Sequence, residues 1–250
     1  MRDVQSPNRF IRVFRNPMRG VRWLVRLAKR ISGRDITDNG ERVDIVYNGQ
    51  VEFNRFDIYQ KSHFRRYQFA CSLLASDSIV GDMACGTGYG TAMMGTKAHQ
   101  VYGYDISPVI AKITKRYEGL GNVFFAQRDL LEIEDKVMFT TIVSFETLEH
   151  FPPALAQSIL RKFNSLLGQN GTLILSIPYN QEENSASRKH HRSFHINEDV
   201  LTRWLTTSGF KLERLFYQNY DSHEIRERLD SRDFMLAVCS KSLPLKCEDA

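Results

Sequence analysis

Val80-Gly81-Asp82-Met83-Ala84-Cys85-Gly86-Thr87-Gly88-Tyr89-Gly90 decides the reading of this chain. A short apolar run, Ser78–Ala84, ends in a glycine-rich turn, and a helical pattern over Tyr89–Lys97 follows it. Glycines at such a strand-to-helix turn permit positive φ and let a ligand approach the backbone. The helix N-terminus behind them offers unpaired N–H groups to a polar ligand. A dinucleotide fingerprint requires a third glycine three residues after the second, where this chain has Thr91. That reading also leaves the acid four residues before the first glycine unexplained.

Outward from this turn, apolar strands alternate with amphipathic helices. Strands are predicted at His99–Tyr104, Asn122–Ala126, Thr140–Phe145 and Gly171–Ile177, with two more at Phe210–Gln218 and Asp233–Ser240. Helices are predicted at Tyr59–Leu74, Pro108–Glu118, Pro153–Leu167 and Asn197–Ser208. The alternation predicts an α/β fold: a doubly wound, Rossmann-like, seven-stranded, mostly parallel sheet with an antiparallel last strand. No helix register is evident between the last two strands.

The chain has 250 residues, 42% of them apolar, and a formal net charge of +5. That length suits one well-buried core with an appendage. Residues 1–34 carry ten Arg or Lys against the single acid Asp3, a net +9, which leaves −4 for the remainder. Phe10, Phe14, Val21, Leu24, Leu27 and Ile31 fall near helical spacing among these arginines, and Pro17 confines the main helix to Met18–Ile31. Such an arm, with Trp23, either lies on an anionic membrane face or packs on the body with a solvated basic side. The expected division is therefore 1–58, a basic arm and connector folding over the active site, and 59–250, the catalytic domain. No run reaches the length of a membrane span, and no signal-peptide pattern precedes the body. Cys71, Cys85, Cys239 and Cys247 show no metal-ligand spacing. These features predict a cytoplasmic protein, at most peripheral on the inner membrane face.

Asp82-Met83-Ala84-Cys85-Gly86-Thr87-Gly88 resembles motif I of class I methyltransferases that use S-adenosylmethionine (SAM), and the resemblance continues in order through roughly residues 60–240. It implies SAM as cofactor, S-adenosylhomocysteine as product, and contacts from Asp82, Ala84, Cys85, Gly86 and Gly88. Asp105, ending Tyr102-Gly103-Tyr104-Asp105, matches the family acid that takes the ribose hydroxyls. Asp129 matches the residue near the adenine amino group, with Ile106 and Leu130 flanking the ring. Phe145 belongs to Ser144-Phe145-Glu146-Thr147-Leu148-Glu149-His150, which matches the motif at the methyl-transfer site. Leu166–Thr172 resembles the turn before strand five. Gly90 reads as a helix-entry glycine, and Cys85 as a small buried residue.

Glu146, Glu149 and His150, at i, i+3 and i+4, are expected on one helical face. Two active readings are open. His150 is a general base oriented by Glu149 or Glu146, or Glu146, Glu149, His150 and His195 hold a divalent ion, as in Glu-x-x-Glu-His methyltransferases. The base reading is preferred and no metal is assigned. The bland alternative makes the acids capping groups and His150 a packing residue. His190 and His191, beside Arg188 and Lys189, read as a solvated basic loop. His63-Phe64-Arg65-Arg66-Tyr67-Gln68-Phe69-Ala70, with the two motifs above, is similar to bacterial methyltransferases of surface-glycan biosynthesis. That resemblance implies a sugar or glycolipid hydroxyl as acceptor. Arg66 is a candidate for the SAM carboxylate, or its helix packs over the pocket. Small-molecule O- or N-methylation, RNA 2′-O-methylation and an inactive SAM-binding scaffold are the alternatives. Nucleic acid is disfavoured because the body is net acidic and carries no RNA-binding module.

Overall fold

The computed structural model describes residues 43–134 and 138–242, all within the compact unit Thr37–Ala250. The predicted arm helix Met18–Ile31 lies outside the described residues. Helix α1 (Ile58–Leu73) precedes strand β1 (Ile79–Met83). Helix α2 (Tyr89–Gly95), β2 (Gln100–Asp105), α3 (Ile110–Arg116), β3 (Val123–Gln127) and β4 (Phe139–Phe145) follow. Then come α4 (Pro153–Leu166), β5 (Leu167–Pro178), α5 (Glu198–Thr207), β6 (Phe210–Gln218), β7 (Ile225–Arg226) and β8 (Phe234–Lys241).

Local chemistry sets the helix starts. Asp57 Oδ1 accepts from Gln60 N at 2.8 Å while Gln60 Oε1 accepts from Asp57 N at 3.0 Å, a reciprocal cap on α1. Pro153 opens α4 at the position where a missing N–H costs nothing. Asn197 Oδ1 caps α5 by accepting from Val200 N. Helix α3 begins later than expected, because Ser107 Oγ and a turn occupy its first residues.

The sheet order is β3-β2-β1-β4-β5-β8-β6-β7. Strands β1 to β5 pair in parallel, and β8 runs antiparallel between β5 and β6. The sheet thus has eight strands rather than seven. The additional one is β7, two residues paired with Tyr217 and Gln218, too short to leave a periodic signal. Strand β5 also starts earlier than expected: Leu167 pairs with Phe139, so the turn resembling a pre-strand loop is itself strand, with a register irregularity before Thr141.

Alternation along the central strands covers both faces. Ile142, Leu173 and Leu175 join Ile159, Phe163 and Leu205 of α4 and α5, while Val143 and Ile174 join Phe64, Ala70 and Met94 of α1 and α2. The connector contains no strand among its described residues. Its Ile45 is buried in the second core, and Val43 O accepts from Thr87 Oγ1 at 3.1 Å, so this segment lies against the glycine-rich turn.

Chain order reverses between β1 and β4, which makes their C-terminal ends the ligand edge of such a sheet. Three non-glycine residues at that edge adopt left-handed backbone: Ala84 after β1 (φ 65°), Glu146 after β4 (φ 47°) and Asn180 after β5 (φ 46°). Backbone of this kind costs energy and collects at functional sites.

Helix α1 closes over this edge through Tyr67, whose ring lies where a Cβ on Gly90 would stand. An added Cβ would be 2.1–2.4 Å from three Tyr67 ring carbons. Gly90 is therefore a close-approach glycine and not merely a helix entry. Tyr67 is also fixed by edge-on contacts with Tyr89 and Phe145, so it cannot retreat. Gly90→Ala is expected to destabilise the fold by about 2–3 kcal/mol, lowering the midpoint of thermal unfolding by about 5–10 °C. Calorimetric melting checks this.

Candidate functional site

The glycine-rich turn is organised by Asp105, at the end of β2. Gly86 N donates to Asp105 Oδ2 at 2.9 Å and Ser107 N donates to Oδ1 at 2.8 Å. Each oxygen retains a further lone pair for a ligand hydroxyl. Gly86 has φ 56°, and a Cβ placed on it would meet nothing within 4 Å, so the turn borders open space. Cys85 is buried, with its N–H donating to Tyr104 O and its thiol pushed up by burial. Ile106 is half-buried and Leu130 buried on the neighbouring strand ends, while Asp129 Oδ1 accepts from Leu131 N to cap a short 3-10 turn.

Asp82 is turned away from this space. It is fully buried; Tyr67 Oη donates to Oδ1 at 3.0 Å and Thr91 Oγ1 donates to Oδ2 at 2.6 Å. Burial pushes its carboxyl up to about 7, against the lowering effect of those two hydroxyls. The sequence expectation placed Asp82 on the cofactor. Both its oxygens instead serve α1 and α2, so its contribution is to hold the turn between them.

Arg66 is likewise committed within the protein. It is fully buried, donates through Nε to Gln218 Oε1 at 2.6 Å, pairs with the Glu146 carboxylate, and lies 3.8 Å from the Phe234 ring centroid. Burial lowers its pKa to about 10. Gln218 in turn donates to Ser62 O at 3.0 Å. Nearby, His63 Nδ1 and Tyr89 Oη share a hydrogen bond of 2.6 Å, and burial with the Arg66 charge lowers the His63 pKa to about 3. His63 is thus neutral at physiological pH.

The expected convergence of Glu146, Glu149 and His150 does not form. Left-handed backbone at Glu146 breaks the helical register, and only Leu148–His150 make a 3-10 turn. Glu146 goes to Arg66, whereas Glu149 and His150 meet His191, with one ligating atom of each within 4.8 Å of the others. The His150 and His191 rings pack edge-on at 5.0 Å. His195, favoured from the sequence, is exposed with φ 54° and stands outside this group; His191, read as part of a solvated loop, belongs to it. The cause is a pair of backbone bonds: Arg192 N and Ser193 N donate to Glu149 O at 2.7 and 3.1 Å, folding residues 190–193 onto the turn. Glu149 itself is buried, at 1% exposure. Burial foremost, then the neighbouring His150, His190 and Arg192 charges, lower the His191 pKa to about 4.

Residues 80–171 match the family model described as a methyltransferase domain. Similar solved structures include the magnesium protoporphyrin IX methyltransferase of Synechocystis with bound S-adenosylhomocysteine. It is 21% identical, with 78% of this chain and 90% of that chain covered and a TM-score of 0.58. The N-methyltransferase NodS of Bradyrhizobium japonicum, also with bound S-adenosylhomocysteine, gives 16% identity, coverage of 78% and 93%, and a TM-score of 0.58. No curated protein matches the chain. Residues 80–171 thus carry the match to a methyltransferase domain, and the sheet has the fold of these solved methyltransferases. Among the described residues, no helix is long and apolar enough to cross a membrane.

The raised Asp82 carboxyl has a measurable consequence. Between pH about 4 and 7 the folded state holds a proton that the unfolded state has lost, so this group's contribution to stability falls as pH rises through that window. A shift of that size is on the order of 4 kcal/mol. Denaturant unfolding across pH 4–8 is expected to show this slope in the wild type and a flatter one in Asp82→Asn.

Proposed function

We propose that the protein transfers the SAM methyl group to a hydroxyl oxygen, with His150 as the proton acceptor. The observation that carries this reading is the convergence of buried Glu149 with His150 and His191 just past the end of β4, on the edge that carries the glycine-rich turn. The donor sulfonium is already activated, so the protein must align an oxygen with the methyl carbon and exclude water. An alcohol must also lose a proton during attack, and a positioned imidazole can take it. His150 Nδ1 lies 3.2 Å from His190 O. A carbonyl only accepts, so the Nδ1–H tautomer is favoured and Nε2 is the basic nitrogen. Glu149 stabilises the imidazolium that forms.

SAM is assigned to Gly86, Gly88 and the backbone of Ala84 and Cys85, with its ribose hydroxyls on Asp105. Asp129 is assigned to the adenine amino group, with Ile106 and Leu130 against the ring. Phe145 contributes the wall beneath the methionine portion. The Arg66–Glu146 pair fixes the floor of the pocket, since a buried guanidinium in a carboxylate bond is costly to rearrange.

The acceptor is read from this chain's motifs, because the fold serves a porphyrin methyltransferase and an N-methyltransferase alike. The His63–Ala70 segment and the Ser144–His150 motif resemble surface-glycan methyltransferases, which favours a sugar hydroxyl, free or lipid-linked. The basic segment 1–34 supplies charge for an anionic membrane face, where a lipid-linked acceptor would sit.

Incubation with methyl-tritiated SAM and a panel of sugar nucleotides and lipid-linked sugars tests this reading. Label is expected in a sugar methyl ether; label on an amine would contradict it. His150→Ala should cut turnover by about 10²–10⁴-fold while leaving SAM affinity within a few-fold. Asp105→Ala, which removes two charge-assisted bonds, should raise the SAM Kd by about 100-fold in equilibrium dialysis.

A further inference from the structure

We propose that residues 43–47 form a strap over the cofactor pocket, latched by Thr87, Tyr117 and Gln60, which sets how fast the cofactor enters and leaves. The inference rests on the assignment of SAM to the glycine-rich turn and is independent of the acceptor.

The segment is tied to the turn and to the helices around it. Thr87, between Gly86 and Gly88, donates through Oγ1 to Val43 O at 3.1 Å. Gln60 Nε2, on α1, donates to Asp44 O at 2.8 Å. Tyr117, just past α3, accepts through its hydroxyl oxygen from Tyr47 N at 3.3 Å. Between these ties Ile45 is 2% exposed and belongs to the apolar cluster of Phe64, Tyr67 and Tyr89, which joins α1 to α2. Tyr47 packs on the cluster of Cys85, Ala92, Ile113 and Tyr117, drawn from the turn and from α2 and α3. Val46, between those two, is 56% exposed. Five consecutive residues thus bridge the turn and three helices, with one side inward and the other in water.

The attachment is of a kind that can open. Among the described residues, no backbone–backbone hydrogen bond joins 43–47 to the body, and each tie runs through a side chain. A segment without a ladder can lift while the sheet stays intact, as segments over binding sites do. Two residues on, exposed Gly49 has φ 92° with nothing within 4 Å of its Cβ position, so the chain can pivot there. The two sides of the turn have different partners. Gly86 N is held by Asp105 on the side assigned to the cofactor, whereas the Thr87 hydroxyl is directed to the strap. A cofactor that fixes Gly86 and Gly88 therefore also fixes the latch residue between them. Closure then excludes water from the sulfonium, and opening is required to exchange S-adenosylhomocysteine for SAM.

The test uses the full chain with S-adenosylhomocysteine as the probe. Amide hydrogen exchange over residues 43–50, read by mass spectrometry, is expected to slow by about tenfold or more when the ligand stands at roughly 100 times its Kd. Thr87→Val and Tyr117→Phe each remove one latch bond and keep the shape of the side chain. Each should speed release of the ligand about 5-fold, the effect of one lost hydrogen bond, as measured by surface plasmon resonance. Thr87→Ser keeps the hydroxyl and should release the ligand at the wild-type rate. The exchange measurement needs only the wild type, so it decides the matter even if a latch variant fails to fold. Unchanged exchange over 43–50 in the liganded chain, or wild-type release from both latch variants, would overturn the strap and leave the cofactor assignment standing. Failure of the folded wild type to bind the ligand would remove both.

Discussion

Tyr67 and Thr91 both donate to one buried carboxylate, Asp82, and the ligand edge of the molecule is organised around that contact. It ties α1, β1 and α2 at a single point, beneath the glycine-rich turn. A carboxylate in this position is costly unless it is protonated or bonded, and here two hydroxyls and a raised pKa meet that cost. The contact is possible only because Gly90 lacks a Cβ where the Tyr67 ring lies. Once Tyr67 is placed, the rest of α1 follows with helical spacing. His63 reaches Tyr89, and Arg66 reaches Glu146, Gln218 and Phe234. A helix outside the parallel sheet thereby contributes as much to the site as the strand ends do.

Separate tasks fall to the acids at this edge. Asp82 holds the scaffold, and Asp105 shapes the glycine-rich turn through Gly86 and Ser107. Glu146 neutralises Arg66, and Glu149 gathers the histidines. For Glu146 and Glu149 the division has a local origin: left-handed backbone at Glu146 sends the two side chains in different directions instead of along one helical face.

The sheet was legible because its strands are apolar runs bounded by glycine and polar turns, and its helices carry a 3.6-residue stripe with recognisable caps. The glycine-rich turn was legible for the same reason, being local chemistry on a predicted strand-to-helix junction. What escaped was non-local or too short. Two residues of β7 carry no period. The Tyr67–Gly90 approach joins residues on different helices, and nothing in the composition of either segment announces it. Glu146 and Glu149 would share a face only if a helix followed β4, and the backbone there turns left-handed. Around His191, the neighbours Arg188 and Lys189 suggest solvent. Its burial comes from two N–H groups of the same loop bonding back to Glu149 O, across more than 40 residues of sequence.

Titrating the purified chain with S-adenosylhomocysteine in a calorimeter tests the central claim most directly. One molecule bound per chain, with affinity in the micromolar range, is the result this account predicts. Absence of any heat from a chain that melts cooperatively would contradict it, because the turn set by Asp82 and Asp105 would then not be a cofactor site.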